Sequence, residues 1–161
     1  MPKTFIYIDL ESVKDGQLQL ENRVQKEDAP SRAQRLLEKG DILYQMVRPY
    51  QKNNLYFNKN DEYVASTGYA QLRAKQNNEF LYYLIHTESF VNSILRLCTG
   101  SNYPAINSTD LATVKISYPC KEEQQRIANF LSAIDQKINT IDKQIDDSEL
   151  FKKGLLQRMF V

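Results

Sequence analysis

Six apolar residues near the C-terminus, Ile127, Leu131, Ile134, Ile138, Ile141 and Ile145, recur with alternating gaps of four and three. That is a heptad seam. No Gly or Pro interrupts it before Gly154, and Glu122 and Glu123 stand where a helix start favours negative charge, so one helix is expected from just after Pro119. At ~1.5 Å per residue it reaches roughly 60 Å, more than a domain of this size needs for its own core. Asp135, Lys137, Asp142, Lys143, Asp146 and Asp147 fill the intervening positions and leave a narrow apolar stripe. A stripe of that width fits a second helix, and the length argues against a helix that folds back along its own domain. Ser148 falls where the next apolar residue is due, and the stripe resumes at Phe151, Leu155 and Met159, so the far end is expected to pack on something else.

The remaining residues suffice for one domain. The class expected is α+β: a small mixed α/β domain over residues 1–118, then one long coiled-coil helix over residues 119–161. No apolar run approaches the ~20 residues that cross a membrane, and the N-terminus lacks a basic-then-apolar signal pattern. A soluble cytoplasmic protein is expected. Cys98 and Cys120 are too few and too far apart for a zinc site or a disulfide framework, and neither a metal nor a cofactor is expected.

Charge is uneven along the chain. Residues 31–75 hold eight Lys/Arg against four Asp/Glu, an excess of +4, whereas residues 121–161 hold seven of each sign. An excess of this size is more often a solvated surface than a nucleic-acid face. Thr4–Leu10 reads as a strand that ends near the turn residues Asp15-Gly16. Residues 21–30 are polar and lack period. Ser31 with Gln34 has the spacing of a capping box, and Gly40 follows Lys39, which predicts a short helix carrying Arg32 and Arg35 on one side. Strands follow at Asp41–Val47, Leu55–Phe57, Glu62–Ala65 and Tyr69–Ala74, with Ser66-Thr67-Gly68 as a turn. Between the first two lies a polar loop, Arg48 to Asn54, with basic and aromatic residues interleaved. A helix capped by Asn77 or Asn78 is expected to run to Gly100. It contains the one histidine, His86, whose sequence neighbours offer no convergent catalytic partners. A loop with small hydrogen-bonding groups, Thr99 to Pro104, a helical turn at Ser108–Leu111 and a strand at Ala112–Ser117 complete the globular part.

The run Thr109-Asp110-Leu111-Ala112-Thr113-Val114-Lys115-Ile116-Ser117-Tyr118-Pro119, followed by Glu122-Glu123-Gln124-Gln125-Arg126-Ile127-Ala128, resembles the specificity subunit of type I restriction-modification enzymes. There a leucine-containing turn, a short strand ending in proline and an acidic-Gln-x-Arg-Ile segment lead into a long helix. Lys39-Gly40-Asp41-Ile42-Leu43, Val64-Ala65-Ser66-Thr67-Gly68-Tyr69 and Thr99-Gly100-Ser101 resemble further parts of it, so the likeness runs from about residue 4 to the end. The resemblance implies a DNA target-recognition domain followed by a helical arm that spaces two such domains. Subunits of the family usually carry two recognition domains and two antiparallel arms. This chain has room for one of each, which reads as a truncated reading frame, a half-subunit or a fragment.

Three functions are open at this point. The first is a sequence-specific component that directs a methyltransferase subunit and, in a complete system, a restriction subunit to a bipartite double-stranded DNA target. Its contacts are expected from Arg32 and Arg35, from Arg48, Tyr50, Gln51, Lys52 and Asn53, and from Thr99, Ser101, Asn102 and Tyr103. Arginine and amide side chains read base edges, whereas lysines and hydroxyls hold phosphates. The second is an enzyme in its own right. The chain has no Gly-rich loop after a strand and no Asn/Asp-Pro-Pro-aromatic tetrad for methyl transfer, and no cluster of carboxylates with a lysine for metal-dependent cleavage, so catalysis is not expected. The third is a coiled-coil interaction module without DNA binding. In the first and third readings the heptad seam pairs, either with a second copy in antiparallel fashion or with the arm of another half-subunit.

Overall fold

The computed structural model describes residues 1–160; the final residue of the expected arm, Val161, lies outside them. Two sheets and a helical layer stack on each other, and the alternation of side chains along three strands builds the stack. In β1 (Thr4–Ile8) Ile6 and Ile8 point to a core between the sheets, whereas Phe5 and Tyr7 point to an outer cluster with Ala33 and Val64. In β6 (Ile42–Gln45) Leu43 joins the same inter-sheet core, whereas Ile42 and Tyr44 face the helices with Ile85, Phe90 and Ile94. Tyr69 and Ala70 of β9 (Tyr69–Leu72) divide in the same way. A period of two therefore commits each strand to two cores at once.

The four-stranded sheet has the order β4-β1-β8-β5, with β4 at Asn22–Gln25, β5 at Ala33–Leu36 and β8 at Tyr63–Ser66. Only β1 and β8 run parallel. The three-stranded sheet is β7-β6-β9, antiparallel throughout, with β7 at Leu55–Tyr56. A hairpin of β2 (Val13–Lys14) and β3 (Gln17–Leu18) turns at Asp15-Gly16. Helices α1 (Asn78–Leu84), α2 (Glu88–Leu95) and α3 (Ser108–Thr113) cover the smaller sheet, and α4 (Lys121–Met159) leaves the domain as the arm. Among the described residues no helix is long and apolar enough to cross a membrane. The α+β class and the long terminal helix agree with the expectation from sequence.

Four local expectations are corrected. Residues 31–39 form no helix: Ala33–Leu36 is an edge strand on β8, with Ala33 opposite Ser66 and Leu36 opposite Val64. The Gln34 amide donates to the Ser31 carbonyl instead of closing a capping box. The polar stretch after residue 20 supplies β4, which pairs with β1 through Val24 opposite Phe5. The expected helix from Asn77 to Gly100 is interrupted at Ile85–Thr87, because the Thr87 hydroxyl accepts from the Phe90 amide and starts α2 afresh. Residues 112–117 make no strand: α3 runs to Thr113, and the extended segment that follows packs Val114 and Ile116 on the helical core without a ladder partner.

The Gly40-Asp41 pair has a physical role. Gly40 has a φ of 94°, and Asp41 is buried while accepting from the Glu38 amide at 2.7 Å, from Gln71 at 2.6 Å and from Arg73. Burial pushes its carboxyl up, but Arg73, the Glu38 amide and Gln71 together hold it below the usual carboxylate value. Asp41→Ala is expected to destabilise the chain by about 3 kcal/mol, because three donors lose their acceptor, as urea unfolding would measure. The carboxylate contribution is complete above the ordinary carboxylate pKa and is lost as pH falls through the depressed folded value. Asp41→Asn should therefore flatten the acid limb of the stability curve.

Candidate nucleic-acid interface

Two loops separated by about fifty residues in sequence are bonded into one surface. The Arg48 amide donates to the Pro104 carbonyl at 2.7 Å, the Ile106 amide to the Met46 carbonyl at 3.0 Å, and Thr99 and Ala105 exchange both backbone bonds at 2.9 and 3.0 Å. The Thr99–Ala105 loop is thereby closed on itself and fastened to the end of β6. Gly100, at a φ of 90°, makes the turn, and a Cβ there would meet the Tyr103 carbonyl oxygen at 3.0 Å. Gly100→Ala is expected to cost about 1–2 kcal/mol in a thermal melt and to disorder the loop, because the left-handed backbone disfavours a side chain.

The Arg48 guanidinium lies over the Tyr103 ring, 4.1 Å from its centroid, a cation–π arrangement that leaves Tyr103 64% exposed. Thr99, Ser101 and Asn102 are exposed beside it, and Tyr50 and Gln51 are exposed on the single 3₁₀ turn Pro49–Gln51. Of the candidates named from sequence, these six lie with Arg48 on the two bonded loops. Lys52 and Asn53 belong to the same turn but are engaged within the protein. Lys52 is ion-paired with Glu88, and the Asn53 carbonyl oxygen accepts from the Asp15 amide at 3.3 Å, which ties the β2–β3 hairpin to the turn. Arg32 reaches the same end of the molecule from the other sheet: its carbonyl accepts from the Thr67 amide, and the neighbouring Gly68 carbonyl accepts from the Met46 amide. Arg35 does not join them. It is half-buried beside a cleft of about 350 Å³ lined by Leu81, Ile85, Phe90 and Leu111. The shared helical face imagined for Arg32 and Arg35 is replaced by strand geometry, which separates them.

Polar residues that sequence reasoning passed over support this face from beneath. Gln45 and Asn54 are buried, the Gln45 amide donates to the Asn54 carbonyl oxygen at 2.9 Å, and the Gln45 side chain donates to Gln51 at 3.1 Å. The one available signal was the position of Asn54, directly before the apolar pair of β7.

The arm rests on the domain along one side only. Gln124 and Ala128 are buried against it, Gln124 donates to Gln76 at 2.7 Å, Tyr83 to Asp135 at 2.7 Å and Gln17 to Asn139 at 3.0 Å. Burial and the Asp135 carboxylate both push the Tyr83 phenol up. The heptad seam lies on the adjacent side: Ile127 and Leu131 are half-buried, while Ile134, Ile138, Ile141 and Ile145 are 40–54% exposed.

The family described as type I restriction modification DNA specificity domain matches residues 4–148. The chain belongs to this family. A curated relative, the type I restriction enzyme HindI specificity subunit of Haemophilus influenzae, is 30% identical over 142 residues, covering 83% of this chain and 30% of the relative. The putative type I restriction enzyme MjaX specificity subunit of Methanocaldococcus jannaschii is 31% identical over 130 residues, covering 75% of this chain and again 30% of the relative. Among solved structures, the HsdS subunit from Thermoanaerobacter tengcongensis superposes with a TM-score of 0.73 at 28% identity, covering 86% of this chain and 37% of that one. A chain from a structural study of assembly and conformational transition in the type I system gives 0.75 at 27% identity, covering 87% and 38%. The specificity domain thus spans about a third of the length of the relatives it matches.

Proposed function

We propose that this specificity domain reads double-stranded DNA through the face built from the Arg48–Gln51 turn and the Thr99–Tyr103 loop, with Arg32 at its margin. The observation that carries the reading is the bonding of two distant loops into one exposed ridge of cationic, aromatic, amide and hydroxyl groups. Arginine and amides supply base-edge contacts, and hydroxyls and backbone amides supply phosphate contacts. Residues 1–118 form the recognition domain and residues 119–161 the arm. The chain itself is non-catalytic and needs no cofactor; in the cytoplasm it directs a methyltransferase subunit and, in a complete system, a restriction subunit to a bipartite target.

The exposed isoleucine seam of the arm supports the same reading. An antiparallel partner, a second copy or the arm of another half-subunit, covers the open isoleucine seam and places recognition domains at opposite ends. With roughly 60 Å of arm and ~3.4 Å per base pair, half-site centres lie at most about 17 base pairs apart. Two copies predict an interrupted palindrome. Selection from random DNA tests this directly; an unsymmetrical target recovered with the homodimer would overturn it. The alternative, an interaction module without DNA binding, is separated by salt, since phosphate contacts weaken steeply as salt rises and apolar contacts do not.

A further inference from the structure

The turn at Pro49–Gln51 is flanked by two non-glycine residues in the left-handed region, Arg48 at φ 53° and Lys52 at φ 55°. Such a turn relaxes unless its surroundings hold it. Besides the ties to Pro104, Glu88 and Asp15, it is held by a largely buried polar chain running from His86, in the turn after α1, to strand β6. We propose that His86 is a specificity-positioning residue, which as a neutral imidazole acts through Asn54 and Gln45 to lock the Arg48–Asn53 turn in the conformation that meets DNA. The proposal rests on the reading of that turn as a DNA contact.

Two independent constraints fix the direction of the bonds from His86 through Asn54 to the Gln45 backbone. The His86 Nδ1 lies 2.6 Å from the Tyr82 carbonyl, which can only accept, so this nitrogen carries the proton and the neutral ring leaves Nε2 as an acceptor. At the other end the Gln45 backbone amide can only donate, so the Asn54 atom it meets at 2.9 Å is the carbonyl oxygen. That leaves the Asn54 amide nitrogen facing His86 Nε2 at 3.3 Å, a donor meeting an acceptor. Gln45 then holds Gln51 within the turn at 3.1 Å. Both exits of the turn are tied.

Burial lowers the pKa of His86, opposed by the Tyr82 and Lys52 carbonyls; the charges facing it are Lys52 from the Arg48–Asn53 turn and Asp135 from the arm, with the Tyr82 ring of α1 4.5 Å away. Protonation would turn Nε2 into a donor, break the bond from Asn54 and attract the Lys52 carbonyl instead. The lock is therefore fully present above the ordinary histidine pKa and is lost as pH falls through the lower folded value.

The test uses the full chain, its selected DNA target and a scrambled duplex. His86→Leu should speed amide hydrogen exchange in the turn and lower the ratio of target to scrambled affinity roughly tenfold, with scrambled binding unchanged because the charges remain. His86→Gln, whose side-chain oxygen reaches Asn54, should retain most of the discrimination and lose the pH dependence that appears below the ordinary histidine pKa. His86→Leu discriminating like the unaltered chain, or His86→Gln as damaged as His86→Leu, overturns the proposal. Should His86→Leu not fold, the pH profile of His86→Gln decides alone, and an unchanged profile overturns it. Should the turn loosen in His86→Leu while Arg48→Ala leaves all DNA binding intact, the DNA reading of the turn fails and the lock stands.

Discussion

Replacing Ile134 and Ile141 by aspartate is expected to turn a paired chain into a monomer without damage to the globular domain. Both side chains are already exposed, at 40% and 54%, so within one chain the substitutions disturb no packing, and domain stability should change by less than about 0.5 kcal/mol. In an antiparallel pair centred on the seam, Ile134 meets Ile138, Leu131 meets Ile141 and Ile127 meets Ile145. Two buried carboxylates per arm without partners then cost several kcal/mol, enough to abolish association at micromolar concentration. The monomer should bind a single half-site weakly, since the second contact is no longer intramolecular. Light scattering that shows a monomer for the unaltered chain would remove the premise.

Charges beside the seam refine this expectation. In the same register Lys121 faces Glu149 at both ends, which favours pairing. At the centre, however, Lys137 faces its own counterpart, and so does Asp135. Like charges opposite each other disfavour two identical arms. An arm carrying an acid opposite Lys137 and a base opposite Asp135 is the better partner, and a mixture of two half-subunits of that kind should form the hetero-pair in preference to either homo-pair.

The arm was legible because a heptad repeat is a property of one segment: period, charge filling and the Pro119 stop all agree within Lys121–Met159. The strands β1, β6, β8 and β9 were legible for a similar reason, since aromatic and β-branched residues suit strands in most surroundings. The edge strand Ala33–Leu36 was not. Ala-Gln-Arg-Leu favours a helix locally, and only the free edge of β8, thirty residues further on, makes it a strand. Residues 112–117 failed in the opposite sense, because a strand-like composition found no edge to pair with. At the candidate site the exposed groups could be named, but not their union: nothing local indicates that the Arg48 amide is bonded to Pro104, or that Lys52 is occupied by Glu88. Buried polar chains such as His86–Asn54–Gln45 are the least legible, since each member has no periodic signal of its own.

Occupation of Lys52 by Glu88 changes what the two basic residues of the turn are expected to contribute, and Arg48→Ala carries the larger effect. Arg48 is held over the Tyr103 ring, so little entropy remains to be lost on meeting a base or phosphate. Its removal should cost ~1–3 kcal/mol of target affinity and, if it reads a guanine edge, relax one position of the target. Stability should fall by less than about 1 kcal/mol, the worth of one exposed cation–π pair, because alanine and arginine meet the same left-handed backbone. Lys52→Ala should weaken binding less, because contact with a phosphate first requires release from Glu88. Glu88→Gln makes that release free: affinity should rise for all sequences alike, and the salt dependence should steepen by about one phosphate contact. Fluorescence anisotropy over a salt series measures all three variants. If Arg48→Ala leaves affinity unchanged at low salt, the turn is not a DNA contact.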